Sequence, residues 1–388
     1  MYETLKGIPL IDTHVHRVHP GREPEFGKIA GGYINGPGQD RNSRQTILFE
    51  MVIQALRVRF GMSEDASDAE VEAERFRRYT AEPKKYMREL FSEGNVAMSC
   101  FETGSPLRGK AFTGEEAAYF YEAVPKEKRS VIIRIERSVD ELLDKKLSYR
   151  EFVEKLTADL DDRIIREAAV GLKSSVAYYG GLNIQLADEK KAAEAYEHIV
   201  SGTGTGKDEK CFYTFTLMLG VEEAVKHGIP LQIHTGAGGG TLDFKSFDPV
   251  GLTDFLWDPR VLNRAKIVLL HGGHPHEEDT SFLTAQFSNV YTDCSGTFYL
   301  CTVNGVNRLR ALMERTPMNK LMYGSDGVMF PELAWFGHGY FRKVLARVLT
   351  QLVEEGFIRE KRAYEFARMI LYDNALECYS KLKERVDR

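Results

Sequence analysis

The 388-residue sequence lacks any apolar run near the ~20 residues that a bilayer-spanning helix needs, and it has only two tryptophans. Its start, "MYETLKG", leads straight toward a strand-like run, with neither the basic segment nor the long apolar stretch of a secretory signal. Cysteine is scarce. Cys100, Cys211, Cys294, Cys301 and Cys378 are odd in number, scattered and free of CxxC spacing. That argues against a disulfide framework and against cysteine-held zinc, so a reduced cytoplasmic protein is the simplest expectation. An excess of one charge is also missing, since 52 basic side chains face 57 acidic ones for a net charge of −5. Without a global basic field, neither nucleic acid nor a membrane surface is expected as a partner. A small molecule is. No GxGxxG follows the first apolar run, which removes the signature of a dinucleotide-binding doubly wound sheet.

What the chain does have is 43% hydrophobic residues, enough for a large core, and a regular alternation. Eight β-rich runs stand at 8–16, 95–103, 129–137, 169–178, 229–236, 265–273, 289–297 and 320–327. Charged, helix-period segments such as "SYREFVEKLTADLDDRIIREA" lie between them. Strands alternating with helices pair in parallel, and eight repeats predict an α/β fold, the (β/α)8 TIM barrel. One domain over 1–388 is expected, with a helical insertion after the first strand at about 40–93. A second long connection covers 179–228. Both follow a strand's C-terminal end, so both are expected to cap the barrel mouth. The outward helices leave association into a homo-oligomer open.

Metal-type residues collect at the strand ends. The first strand, "IPLIDTHVH", ends in His14 and His16, which share one face because strand side chains repeat every two residues. The fourth supplies Lys173, the fifth His234, the sixth His271 and the eighth Asp326. Taken singly, each has a plain alternative. His234 or His271 serves as a hydrogen-bonded barrel histidine, Asp326 as a helix cap, and Lys173 as the partner of an acid. Six such residues on five strands of one barrel point instead to a metal centre.

The segments "IDTHVH", "LKSSVAYYGGL", "IHTGAGGGTLDF", "VLLHGGHPH", "NVYTDCS" and "LMYGSDG" carry a resemblance to a known family. The pattern is similar to the amidohydrolase superfamily, most closely to its amidohydrolase 2 branch and to FluG-like domains within it, here as a stand-alone barrel. That resemblance implies metal-ligand roles for His14, His16, His234 and Asp326. His271 becomes either a ligand of a second metal or a catalytic group. Lys173 matches a lysine that is carboxylated in binuclear members, where it bridges two metals; the alternative is an unmodified lysine bonded to substrate or acid. Imidazoles plus a carboxylate suit zinc, as one ion or two, with manganese, iron or nickel as alternatives. The implied activity is hydrolysis of an amide, lactone or similar C–N or C–O bond by metal-activated hydroxide, with Asp326 taking the proton. The competing activities are non-oxidative decarboxylation and, third, sugar-acid isomerisation. A scaffold with a vestigial site is the non-enzyme alternative.

Further residues are expected near the mouth. Arg134 and Glu136 read as neighbours on one face of the third strand, where Arg134 can clamp a substrate carboxylate or the two can neutralise each other. Asp243 and Tyr178 or Tyr179 fall where substrate contacts belong, with packing as the tyrosines' alternative. His19, His274 and His276 read as solvated loop histidines, and "HPHEED" as a solvated charge run. "SGTGTGKDE" imitates a phosphate loop but has Ser201 and Asp208 where that motif needs Gly and Ser or Thr. It reads as a flexible loop.

Overall fold

The computed structural model describes residues 1–18, 26–32, 40–104, 114–186, 188–239 and 242–386. Eight strands run in chain order around one parallel sheet: β1 Leu10–His16, β2 Val96–Glu102, β3 Arg129–Arg134, β4 Gly171–Ser174, β5 Leu231–Ile233, β6 Ile267–Leu269, β7 Val290–Asp293 and β8 Leu321–Met322. Backbone bonds close the ring between its first and last strands. Thr13 N donates to Tyr323 O at 3.0 Å, Asp326 N to His14 O at 2.8 Å, and His16 N to Gly327 O at 2.9 Å. The fold is a (β/α)8 barrel, with each strand but the last followed by helix before the next.

All eight predicted runs are strands, but shorter ones. β5 and β6 have three residues each and β8 two. At each C-terminal end the chain leaves the sheet early to turn, so polar residues there meet over the barrel axis rather than continuing along it. A short helix, Tyr2–Lys6, precedes β1 where the sequence suggested a direct entry.

The barrel's lower interior is apolar. Ile11, Met98, Ile132, Val170, Val268 and Met322 pack there with Ala375, Cys378, Tyr379 and Leu382 from the C-terminal segment, which plugs that end. Burial of this kind contributes roughly 25 cal/mol per Å² of apolar surface. The β1–β2 insertion is helical as expected, with Ile47–Phe60, Asp68–Ala81 and Pro83–Ser92. Two of its helices, Ile47–Phe60 and Pro83–Ser92, pack against helix Pro331–Glu354 on the flank. Residues 19–25 and 33–39 of the insertion lie outside the described residues. Among the described residues no helix is long and apolar enough to cross a membrane. The five cysteines are free.

Two loop expectations are corrected. "SGTGTGKDE" is a tight joint between helices Glu189–Ser201 and Gly206–His227, not a flexible loop. Gly202 takes the left-handed C-cap, and Thr205 forms a capping box with Asp208, the residue that spoiled the phosphate-loop match. "HPHEED" opens helix Glu277–Gln286. Its Glu277 is buried, accepting from His274 Nδ1 at 2.6 Å and Arg308 Nη1 at 3.2 Å. His276 lies between Asp248 and Asp279 at 3.6 and 3.5 Å, so it is paired rather than simply solvated. His19 lies outside the described residues.

Candidate metal centre

His14 and His16 leave the end of β1 on the same side, and both are buried. The closing bond from Asp326 N to His14 O sets Asp326 beside them. Asp326 Oδ1 lies 3.1 Å from His16 Nε2 and 3.5 Å from His14 Nε2. These three residues each offer one donor atom within 4.8 Å of the others. Asp326 holds a left-handed backbone with φ 54°, a conformation that costs a residue with a Cβ roughly 1–3 kcal/mol. The bond to His14 O helps keep it there.

Hydrogen bonds behind the imidazoles fix which nitrogen bears the proton. Gln232 Nε2 donates to Thr13 O and Tyr379 Oη, both at 2.8 Å, so its Oε1 must face His14 Nδ1 at 2.9 Å. His14 therefore carries its hydrogen on Nδ1 and a lone pair on Nε2. His16 Nδ1 donates to Glu102 Oε2 at 3.0 Å, a carboxylate–imidazole pair of the kind that backs metal ligands. Arg134 Nη2 also donates to Glu102 Oε2, at 2.7 Å. Burial pushes the Glu102 carboxyl up, but Arg134 and His16 pull it well below the usual carboxylate range.

A second chain of bonds holds His234 and His271. Ser295 Oγ donates to Asp293 Oδ1 at 2.7 Å and accepts from His271 Nδ1 at 2.9 Å. His271 Nε2 is then the acceptor for His234 Nδ1, 2.9 Å away. His271 also sits in a left-handed turn with φ 65°, anchored by its backbone N–H on Asp293 Oδ1 at 2.9 Å. Burial holds the Asp293 carboxyl up at about 6 against the pull of Ser295. Burial first, then Lys173, lowers His14 to about 4; burial lowers His271 to about 3 and His234 well below its ordinary value. These three imidazoles are neutral, the form that binds metal. His16 differs. Burial opposes its protonation, but Asp326 and Glu102 together raise it.

The donor set fits a divalent ion. His14 Nε2 and His234 Nε2 are buried with no hydrogen-bond partner among the described residues. An unsatisfied buried polar atom costs ~1–3 kcal/mol, which coordination would offset. His234 Nε2 stands apart from the three-residue group and faces Gly238 and Tyr178. A Cβ built on Gly238 would lie 2.8 Å from that nitrogen and 2.3 Å from the tyrosine hydroxyl.

Lys173 is 2% exposed and lies in register between Arg134 and Gln232. Burial foremost, then Arg134, lowers its ammonium to about 8. Tyr178 sits at the site, its ring 4.8 Å from that of His234, whereas Tyr179 stacks on Tyr213 at 3.7 Å as packing. Arg134 and Glu136 do not share a strand face, because β3 ends at Arg134 and Ile135 opens a helix. Glu136 turns away to accept from Ser174 Oγ at 2.6 Å and Ser175 N at 2.8 Å. Asp243 lies in an exposed turn, accepting from Lys245 N and Ser246 Oγ at 3.0 and 3.1 Å.

Glu102, Gln232, Asp293 and Ser295 escaped the sequence reading. Glu102 and Asp293 each end a strand, the same positional signal that marked the histidines, and Gln232 is a polar interruption of the apolar "LQI". His338, which pairs with Asp12 Oδ2 at 3.0 Å beneath the site, comes from a distant helix and had no signal.

An amidohydrolase family profile matches residues 110–381. Protein fluG of Emericella nidulans is 25% identical over 244 residues, which cover 60% of this chain and 28% of that protein. The chain thus spans well under a third of that relative's length. A Lactobacillus casei protein assigned as a metal-dependent hydrolase superimposes with a TM-score of 0.82 at 18% identity, covering 100% of this chain and 98% of that one. Uronate isomerase of Thermotoga maritima gives a TM-score of 0.69 at 18% identity, covering 97% and 96%. At these identities the structural likeness speaks to the fold.

Proposed function

The chain belongs to the amidohydrolase family, and from that premise we propose that it is a metal-dependent hydrolase acting on an amide, lactone or similar bond of a small molecule. The observation that carries the reading is the convergence of His14, His16 and Asp326 with the unpaired, buried His14 Nε2 among them. A divalent ion held there, zinc by the chemistry of the donors, would bring the pKa of a bound water to near ~7 and polarise the bond under attack.

The protein's own groups do the rest. Asp326 is held well below its ordinary value against the effect of its burial, with His16 Nε2 3.1 Å from its Oδ1. It accepts the proton from the attacking water and passes it to the leaving group. His271, neutral and locked by Ser295, holds His234 in place through Nδ1. The Tyr178 hydroxyl stands beside His234 Nε2, where it can orient a substrate oxygen. Arg134 is bound to Glu102 and Gly104 O, so it acts on substrate only through what remains of its fork. Lys173, if carboxylated, would serve a second ion.

The test is turnover of a panel of lactones and N-acyl amides by zinc-loaded protein, with and without a chelator. Hydrolysis lost on chelation is expected, as is a fall of 100-fold or more in Asp326→Asn with metal still bound, the scale of a lost proton-transfer group at ~10²–10⁴. Near-normal turnover in that variant would remove Asp326 from the role.

One observation favours non-oxidative decarboxylation as a second reading. The compact donor group holds three residues, and His271 stands outside it, bonded to His234. Such a one-ion site leaves a histidine pair to manage a proton at carbon. Carbon dioxide release from aromatic or unsaturated acids, without hydrolysis of the panel, would select it over the hydrolase.

A further inference from the structure

Helix Pro331–Glu354 carries two buried polar side chains, one turn apart, that reach the first strand. Arg342 donates through Nη2 to Ile8 O at 3.0 Å and Gly94 O at 2.8 Å, just before β1 and β2 begin. His338, 1% exposed, meets Asp12 Oδ2 through Nε2 at 3.0 Å, further along β1. Its other nitrogen identifies the donor. Nδ1 is buried with no partner among the described residues, so a hydrogen there would be stranded. The ring's hydrogen therefore sits on Nε2 and points at Asp12.

Asp12 is itself fully buried, and its second oxygen binds backbone on both sides of the donor group. Oδ1 accepts from His14 N at 3.3 Å and from Ser325 N at 2.8 Å. His14 is one candidate ligand, and Ser325 immediately precedes another, Asp326. One carboxyl group thus ties the ligand from β1 to the ligand beyond β8. The last torsion of an aspartate side chain is soft, so a carboxyl group held only through Oδ1 turns easily. Turning would weaken both backbone bonds. His338 opposes it by holding Oδ2.

We propose that His338 is a positioning residue for the metal centre: through Asp12 it sets the spacing of His14 and Asp326 that a bound ion requires. This role rests on the metal-dependent reading of the site. It also gives helix Pro331–Glu354, which lies outside the barrel, a direct hold on the chemistry at its mouth.

The test is zinc affinity of the full chain, by competition with a chromophoric chelator. The visible bands of the cobalt-loaded protein report ligand geometry alongside it. In His338→Gln a side-chain donor keeps the reach of Nε2, whereas in His338→Asn it ends one bond short. His338→Asn is expected to bind zinc about tenfold more weakly, the low end of the ~10–100-fold cost of losing support behind a ligand, and to shift the cobalt bands. His338→Gln should restore most of the affinity and the wild-type bands. Urea unfolding of the metal-free proteins separates this from packing, because a residue that only fills space would alter stability and leave affinity unchanged. Wild-type affinity and bands in folded His338→Asn overturn the role, as does a loss in His338→Gln as deep as in His338→Asn. Asp12→Asn, which keeps the side chain's shape, should lose affinity through the same contact, and wild-type affinity there overturns the role even if His338→Asn fails to fold. A wild-type chain that takes up neither metal sinks the metal-dependent reading instead, and this role with it.

Discussion

At the scale of single residues the site is governed by which nitrogen holds a hydrogen. Gln232 decides this for His14 by presenting its amide oxygen to Nδ1. Gln232→Leu is expected to lower metal affinity ~10–100-fold, the cost seen when a ligand's supporting partner is lost. Competition with a chromophoric chelator measures it, and wild-type affinity would show that the amide does not set the tautomer. His16 gives a pH dependence. Its folded, metal-free pKa is raised above the ordinary ~6.5, so the stability it contributes is present below ~6.5 and fades as pH climbs through the raised value. Metal binding runs the other way, because Nε2 must give up that proton to become a ligand. Affinity should therefore rise with pH across the same interval, and Glu102→Gln should move the interval down. An affinity that does not vary with pH would refute the raised His16. The ligand candidates were legible because strand ends carried them. Gln232 and Ser295 were not, since one polar residue in a strand and one serine in a loop acquire meaning only from what lies across the barrel.

Among the elements, the insertion between β1 and β2 was readable as helical from its charged, amphipathic periodicity, but its docking was not. Arg75, 1% exposed, and Glu332, 0% exposed, form an ion pair at 2.6 Å between helices Asp68–Ala81 and Pro331–Glu354. Phe26, Tyr79 and Phe330 pack their rings around the guanidinium at 4.7 to 5.2 Å. The two residues lie far apart in sequence, so no local pattern could join them. Removing one partner strands a buried charge, and Arg75→Met should cost about 3–5 kcal/mol in urea unfolding. Arg75→Met/Glu332→Leu should recover most of that loss. A single variant as stable as wild type would mean that the insertion is held by its apolar contacts alone. The strand boundaries were overread for a related reason. Local β propensity continues through "LHGG", whereas the tertiary bonds of His271 bend the backbone there into a left-handed turn.

For the whole molecule, alternation alone was enough to give eight parallel strands in order. Eight repeats also pointed to a closed barrel, but not to the bonds that close it between the first and last strands, such as Asp326 N to His14 O at 2.8 Å. That same bond joins the two halves of the donor group, so the fold and the candidate centre are completed by one contact. The apolar lower barrel and its C-terminal plug give the centre a dry floor, where neutral imidazoles are favoured over charged ones. The most direct measurement is elemental analysis of purified protein dialysed against buffered zinc, set beside His14→Ala/His16→Ala treated identically. The account predicts at least one equivalent of divalent metal in the wild type and almost none in a folded double variant. Wild-type protein that stays metal-free, or a double variant that retains the full complement, would contradict it.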